Sequence, residues 1–382
     1  MAPIRIAVIG LSQSAKTSWA SEGHLPYLLS DRGRARYKIA ALLNSSQEAA
    51  QRAVVAYELD SDVKAYGSPE ELAADPEIDL VVCTTRVDVH YSTIEPSLKA
   101  GKNVFVEWPL AENVHRASEL AELAQKSGSK TLVGLQARVA PASLKVKELI
   151  QSGAIGKVVS SDVQAYTSRG GGFSISEGLA YFLDKKVGGN PVTIAFGHMI
   201  DFIHSVLGEY ETSHSHLQVQ RPAQSVVHED GHTTPARSDV PDLISLHGTL
   251  KQSANVSQGA SLLVTFLTGS PMPGTSPFSW TITGETGRIR MSNERGPFVQ
   301  SEGSAYPIPV QLEDFASGEF KEIPWSWESW QEPLPPRGRN IAKIYDLFAE
   351  GRAEELGVVD FEGAVVRHRQ LDGMLYPEQT SS

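Results

Sequence analysis

The chain has 382 residues, and its 34 lysines and arginines stand against 45 aspartates and glutamates, a formal charge of −11. That excess of negative charge, with no Lys/Arg cluster, excludes direct nucleic-acid binding as an expected role and disfavours anionic membrane surfaces. At about 150 residues per domain the length points to two domains, and a chain that is 41% hydrophobic and 21% charged has ordinary soluble, globular composition. Cys83 is the one cysteine, so neither an internal disulfide nor a multi-cysteine metal site is expected. With no signal peptide, no apolar run near the roughly 20 residues of a membrane span and no lipidation signal, the expected location is cytoplasmic, or nucleocytoplasmic for a regulator.

In chain order, residues 4–9 form a mostly β-branched apolar run closed by Gly10, as a buried parallel strand would be. A helix ending near 29, a strand over 37–43, a helix over 47–57, a short strand over 63–66 and a short helix over 69–74 follow. The rhythm continues with strand 79–84, helix 91–100, strand 103–107, helix 116–126 and strand 130–136. Strands alternating with helices predict βαβ units and a parallel sheet, placing a Rossmann-like domain at 1–135. After a helix over 145–151 the strands lie side by side, at 158–166, 216–220, 243–249, 261–268 and 279–282, which predicts a large, mostly antiparallel open sheet in an α/β domain over 136–382. A strongly apolar helix over 194–207 interrupts it, a helix over 340–349 follows it, and the C-terminal helix is expected to pack back on the first domain. Residues 325–330, WSWESW, start by alternating aromatic and polar side chains, as a strand with one apolar face would, and read as sheet packing, a subunit interface or a partner patch.

Gly10-Leu-Ser-Gln-Ser-Ala-Lys16 keeps one glycine of the dinucleotide pattern G-x-G-x-x-G, and by itself fits an ordinary βα turn as well as a phosphate loop. Ser12, Ser14 and Lys16 can serve phosphates through hydroxyls and charge. Asn44-Ser-Ser46 stands where an NAD site carries a ribose-binding carboxylate, and its absence removes a repulsion against a 2′-phosphate, favouring NADP(H) over NAD. His214, His216, His228 and His232 have no compact zinc spacing, so no metal is expected.

The segment Ala100-Gly-Lys-Asn-Val-Phe-Val-Glu-Trp-Pro109 resembles the AGKxVxxEKP segment of the glucose–fructose oxidoreductase/inositol dehydrogenase/rhizopine catabolism (Gfo/Idh/MocA) family. Gly10, residues 79–85 followed by His90, Gln136-Ala-Arg138, residues 149–156, Gly197-His-Met-Ile-Asp201 and residues 283–289 extend the resemblance over most of the chain. It implies a Rossmann domain followed by a domain with a large open sheet, and a homodimer or homotetramer formed through that sheet. It implies cofactor contacts from Gly10, Leu11, Ser12, Ser14, Asn44, Ser45, Ser46, Thr84, Thr85, His90, Glu107, Trp108 and Gln136.

Two departures stand out. Trp108 occupies the position of the family's lysine, and Ile194 lies four residues before His198 where an aspartate is usual. An indole carries no charge and exchanges no proton near neutral pH, so only His198 of the usual Lys, Asp and His remains. Tryptophan at this position is similar to the branch that includes the galactose-regulon repressor of yeasts, as are Phe196-Gly-His198 with Asp201 and Val240-Pro-Asp242. His198 reads as a proton donor or a core histidine, and Trp108 as a stacking surface or filler. Tyr181, Lys185 and Lys186 read as replacements for the missing cation or as a solvated loop, and Arg169 to Gly172 as a lid or a plain connection.

Three functions are therefore expected in order. The first is an NAD(P)-dependent oxidoreductase acting on a carbonyl, imine or activated alkene of a small molecule, with His198, Trp108, Tyr181 and Lys185 at the reacting centre. The second is a non-catalytic dinucleotide-binding regulator working through a protein partner. The third is a lyase, isomerase or cyclase on the same fold.

Overall fold

The computed structural model describes residues 2–15, 19–167 and 172–377, which divide into two compact units. The first contains residues 1–136, 186–189 and 328–372, and the second residues 137–185, 190–327 and 373–382. The continuous run of the first unit thus ends one residue past the boundary read from the sequence, and the chain returns to it twice.

Among the described residues, the first unit is built on a parallel sheet of β1 (Ile4–Ile9), β2 (Tyr37–Leu43), β3 (Lys64–Tyr66), β4 (Leu80–Cys83), β5 (Asn103–Val106) and β6 (Thr131–Val133), in the order 3-2-1-4-5-6. All four residues of β4 are buried, as expected where helices cover both faces of a parallel sheet. Three of the connecting helices start at these side-chain caps. Ser46 Oγ accepts from Ala49 N at the head of helix Gln47–Ala56, Ser68 caps Pro69–Ala74, and Asn113 caps Val114–Ser127, which Gly128 closes in the left-handed region. The strand order reverses between β1 and β4, and in such sheets ligands bind at the carboxyl ends flanking that reversal.

The second unit is built on an eight-stranded sheet. Its strands are β7 (Val158–Tyr166), β9 (Tyr210–Gln218), β12 (Leu243–Leu250), β13 (Val256–Leu267), β14 (Phe278–Gly284), β15 (Gly287–Asn293), β16 (Val310–Asp314) and β17 (Phe320–Glu322), in the order 17-16-15-14-7-13-12-9. Only β7 and β13 run parallel; the remaining neighbours are antiparallel. Trp280 on β14 is fully buried and its indole N–H donates to Ser161 Oγ at 2.9 Å. A three-stranded sheet of β8 (Ser174–Ser176), β10 (Ala223–Val227) and β11 (Thr233–Arg237) has no counterpart in the sequence reading, because those segments are only three to five residues long and Pro235 interrupts β11.

The WSWESW segment lies outside these sheets. Half-buried and exposed residues alternate only over 325–328, and Pro324 removes a backbone donor just before the segment. Trp325 donates to the Ile308 carbonyl at 2.8 Å and Trp330 to Glu328 at 2.8 Å. No helix among the described residues is long and apolar enough to cross a membrane.

Candidate functional site

In the first unit, β1 ends at Gly10, whose φ of 95° lies in the region that favours glycine. A Cβ there would sit 2.9 Å from Thr85 Cγ2 and 3.1 Å from Thr84 Oγ1, so glycine lets the chain turn tightly against the end of β4. The turn opens into a polar pocket of about 470 Å3 lined by Gly10, Ser12, Ser14, Asn44, Ser45 and Arg52, among others. Ser12 and Ser14 share a 2.9 Å hydrogen bond, and Asn44 Nδ2 donates to the Leu11 carbonyl at 2.9 Å, fixing the ends of β1 and β2 against each other. Among the described lining residues none is acidic.

Arg52 is the one cation among the described lining residues and was not found in the sequence, because it lies inside helix Gln47–Ala56, eight residues beyond Asn44. Helical side chains lean back toward the N-terminus, so a residue in the second turn can reach the strand end from which the helix departs. Lys16 lies outside the described residues.

Other expected cofactor residues have internal duties. Ser46 is the cap already noted, Thr84 Oγ1 donates to the Ile9 carbonyl at 2.7 Å, and Thr85 Oγ1 is 3.3 Å from Cys83 Sγ. Burial pushes the Cys83 thiol up to about 11, which leaves it unreactive near neutral pH. His90 is buried with its ring nitrogens 3.0 Å from the Pro109 carbonyl and 2.9 Å from the Thr85 carbonyl, bracing the loop after β4 against the Trp108-Pro109 segment. Glu107 is held by His24, whose Nε2 lies 2.8 Å from its carboxylate and whose Nδ1 lies 2.8 Å from the Tyr345 hydroxyl. Gly134 makes that carboxylate possible, since a Cβ there would be 2.4 Å from Glu107 Oε2.

Trp108 is buried, and its ring packs 4.7 Å from that of His368, on the C-terminal helix Phe361–Leu375. Burial, with His90 adding to it, pushes His368 down to about 3, so the ring is neutral, and its Nε2 has no hydrogen-bond partner. Gln136 is completely buried and neither its amide oxygen nor its amide nitrogen has a partner. A buried amide in that state calls for a polar partner, an ordered water or a ligand group.

In the second unit, His198 is buried on an apolar helix that begins with π-helical turns at Val192–Phe196 and continues as Gly197–Leu207. On the same helix the Asp201 carboxylate is clamped by both arms of Arg138, each at 2.7 Å, so it serves that ion pair. Tyr181 packs edge-on to Phe182 with ring centroids 4.8 Å apart. Lys185 places its ammonium 4.6 Å over the Tyr376 ring, while its backbone N–H donates to Asp239 at 2.7 Å. Of the Arg169 to Gly172 segment, 169–171 lie outside the described residues. His228 and His232 stack at 4.0 Å, and His214 lies 5.8 Å from His247 across two strands. Among the described residues no group of three or more His, Cys, Asp or Glu is placed to hold a metal ion.

A doubly wound sheet, a positive-φ glycine after β1 and a polar pocket at the carboxyl ends of β1 and β2 define a Rossmann dinucleotide-binding protein with a sheet-rich second unit. The model of the "Oxidoreductase family, NAD-binding Rossmann fold" matches residues 4–135, and that of "Gal80p, C-terminal domain" matches residues 141–293. The dehydrogenase aclE of Aspergillus oryzae is 30% identical over 375 residues, covering 97% of this chain and 95% of the relative. The galactose/lactose metabolism regulatory protein GAL80 of Saccharomyces cerevisiae is 28% identical over 359 residues, 91% of this chain and 78% of the relative. A super-repressor mutant of Gal80p from Saccharomyces cerevisiae shares the fold with a TM-score of 0.84 at 23% identity, over 100% of this chain and 97% of that one. The chain belongs to the Gfo/Idh/MocA oxidoreductase family, an NAD-binding family, near its Gal80 branch.

Proposed function

We propose that this chain is an NADP(H)-dependent oxidoreductase acting on a carbonyl, imine or activated alkene of a small molecule. The polar pocket at Gly10 carries the proposal: short hydroxyl and amide side chains line it, Arg52 is its cation, and no described lining residue is acidic. A 2′-phosphate would meet a guanidinium there and no carboxylate. Gly10, Ser12, Ser14, Asn44, Ser45 and Arg52 would hold the dinucleotide, and the unpartnered amide of Gln136 would hydrogen-bond one of its polar groups. When bound, the nicotinamide supplies or accepts the hydride equivalent. His198 gives up or takes the accompanying proton at the substrate heteroatom. The protein is read as cytoplasmic and as a homodimer or homotetramer, the oligomer being supported by the eight-stranded sheet, where Leu263 is 47% exposed. Light scattering giving the mass of one chain would reject the dimer.

The test is to incubate the full-length protein with NADPH deuterated at either C4 face and a panel of ketones, aldehydes, imines and enones, then follow deuterium by mass spectrometry. Protein-dependent label in a product, reduced at least about 100-fold by His198→Ala, is the expected result. Tight NADPH binding without label in any product would favour a dinucleotide-binding regulator acting through a protein partner. That second reading is supported by the uncharged, buried Trp108 and by the similarity to GAL80.

A further inference from the structure

The eight-stranded sheet of the second unit ends differently on its two sides. On one side β17 is three residues long, carries the exposed Lys321 and runs on toward Pro324, three features that keep an edge strand from pairing with another chain. On the other side β9 extends over nine residues, Tyr210–Gln218, and contains neither lysine nor proline. Its register with β12 is unbroken from Thr212 opposite Thr249 to Gln218 opposite Leu243, so no bulge twists the strand away over that stretch. Among the described residues β9 pairs with β12 alone. Residues Glu211 to His216 are exposed without interruption, although successive side chains of a strand point to opposite faces. Neither face is walled in beside this edge, and its outer row of backbone N–H and C=O groups is open to a further strand.

We infer that β9 pairs antiparallel with β9 of a second copy of this chain, joining two sheets edge to edge. The inference rests on the homo-oligomer reading and names a contact that builds it. The occupant follows from the chemistry of the strand. A peptide added to a sheet edge gains affinity from backbone hydrogen bonds and specificity from pockets for its alternate side chains. With both sides of residues 211–216 open, β9 offers the hydrogen bonds and no such pockets. A second copy needs none, because its strand matches in length and in polarity. Thr212 to His216 include no carboxylate, lysine or arginine, so nothing in the middle of the strand repels its own copy. The one acidic side chain, Glu211, sits near an end, and antiparallel pairing sends its two copies to opposite ends, whereas a parallel, in-register pairing would set them side by side. A two-fold axis closes the antiparallel pair at two chains.

The test uses single introduced cysteines in the full chain, since Cys83, the one natural thiol, is buried and unreactive near neutral pH. Thr212→Cys, Ser213→Cys, His214→Cys, Ser215→Cys and His216→Cys are compared with Leu263→Cys, on the exposed side of β13, after oxidation with copper phenanthroline and non-reducing electrophoresis. A two-fold axis perpendicular to the joined sheets sets one residue of β9 directly opposite its own copy, within reach of a disulfide. One edge position should therefore cross-link most strongly and its neighbours less. In sedimentation velocity the parent should run as at least two chains, and Ser213→Lys/Ser215→Lys, at two exposed positions, should weaken that association at least about tenfold by setting lysines against lysines. An oligomer whose edge cysteines all stay reduced while Leu263→Cys cross-links, or whose mass the two lysines leave unchanged, overturns the edge contact and keeps the oligomer reading. A mass of one chain at every concentration removes both.

Discussion

The pocket at Gly10 in the first unit is walled by hydroxyls, an amide and a guanidinium supplied by two adjacent strand ends and one helix. The cavity in the second unit is walled by aliphatic and aromatic side chains drawn from residues 167 to 298. The first is shaped by backbone: a glycine at positive φ and carbonyls fixed by Asn44 and Thr84 leave room for a ligand that is itself polar and charged. The second is shaped by side-chain volume. Recognition in the first should therefore fail through conformation and charge, and in the second through shape and desolvation.

The largest expected effect is at the backbone-defined pocket. Gly10→Val forces a β-branched residue to positive φ and drives a Cβ into Thr85, so binding of NADPH and of NADH should fall at least about 100-fold by calorimetry. Far-UV circular dichroism should stay close to that of the parent; a parallel loss there would mean a damaged fold rather than a lost pocket.

A smaller effect of about 2 kcal/mol is expected at His368, from its shift and the linkage slope. Its buried, neutral ring accepts a proton only near pH 3, whereas the unfolded chain takes one near the ordinary value of 6.5. Stability from this residue is complete above pH 6.5 and declines as the pH drops toward 3. Urea unfolding should show His368→Phe losing roughly 2 kcal/mol less than the parent between pH 7 and pH 5. Equal losses would mean that the ring is already protonated beside Trp108.

Arg52→Ala should act on charge alone. We expect about a tenfold weaker NADPH affinity with NADH within about twofold, the gap narrowing as salt rises from about 0.05 to 0.5 M. Equal weakening of both dinucleotides would place Arg52 outside 2′-phosphate recognition.

The first unit was legible because its signals are local. The apolar run before Gly10, the buried residues of β4 and the serine and asparagine caps all act within a few residues, and the strand alternation fixes a parallel sheet. The pocket residues Ser12, Ser14, Asn44 and Ser45 follow from their places at strand ends. Arg52, His24, Tyr345 and His368 were not legible, since their roles come from helix direction or from chain that returns after 190 or more residues. The apolar cavity was also hidden, because its walls come from segments far apart in the chain. The WSWESW pattern misled because alternation marks an extended chain with one covered side, and only a neighbouring strand makes it a sheet.

The return of residues 328–372 to the first unit also has a consequence for biosynthesis. His24 and Glu107 leave the ribosome long before Tyr345 exists to complete their buried hydrogen bonds. At about 5–20 residues per second, the stretch between the end of the first run and Tyr345 takes roughly ten to forty seconds to make. During that interval the nascent first unit exposes the surface that the returning helix will cover. A chain cut at residue 136 would remain in that unfinished state, so the nucleotide-binding half is not a separable module despite lying at the amino terminus.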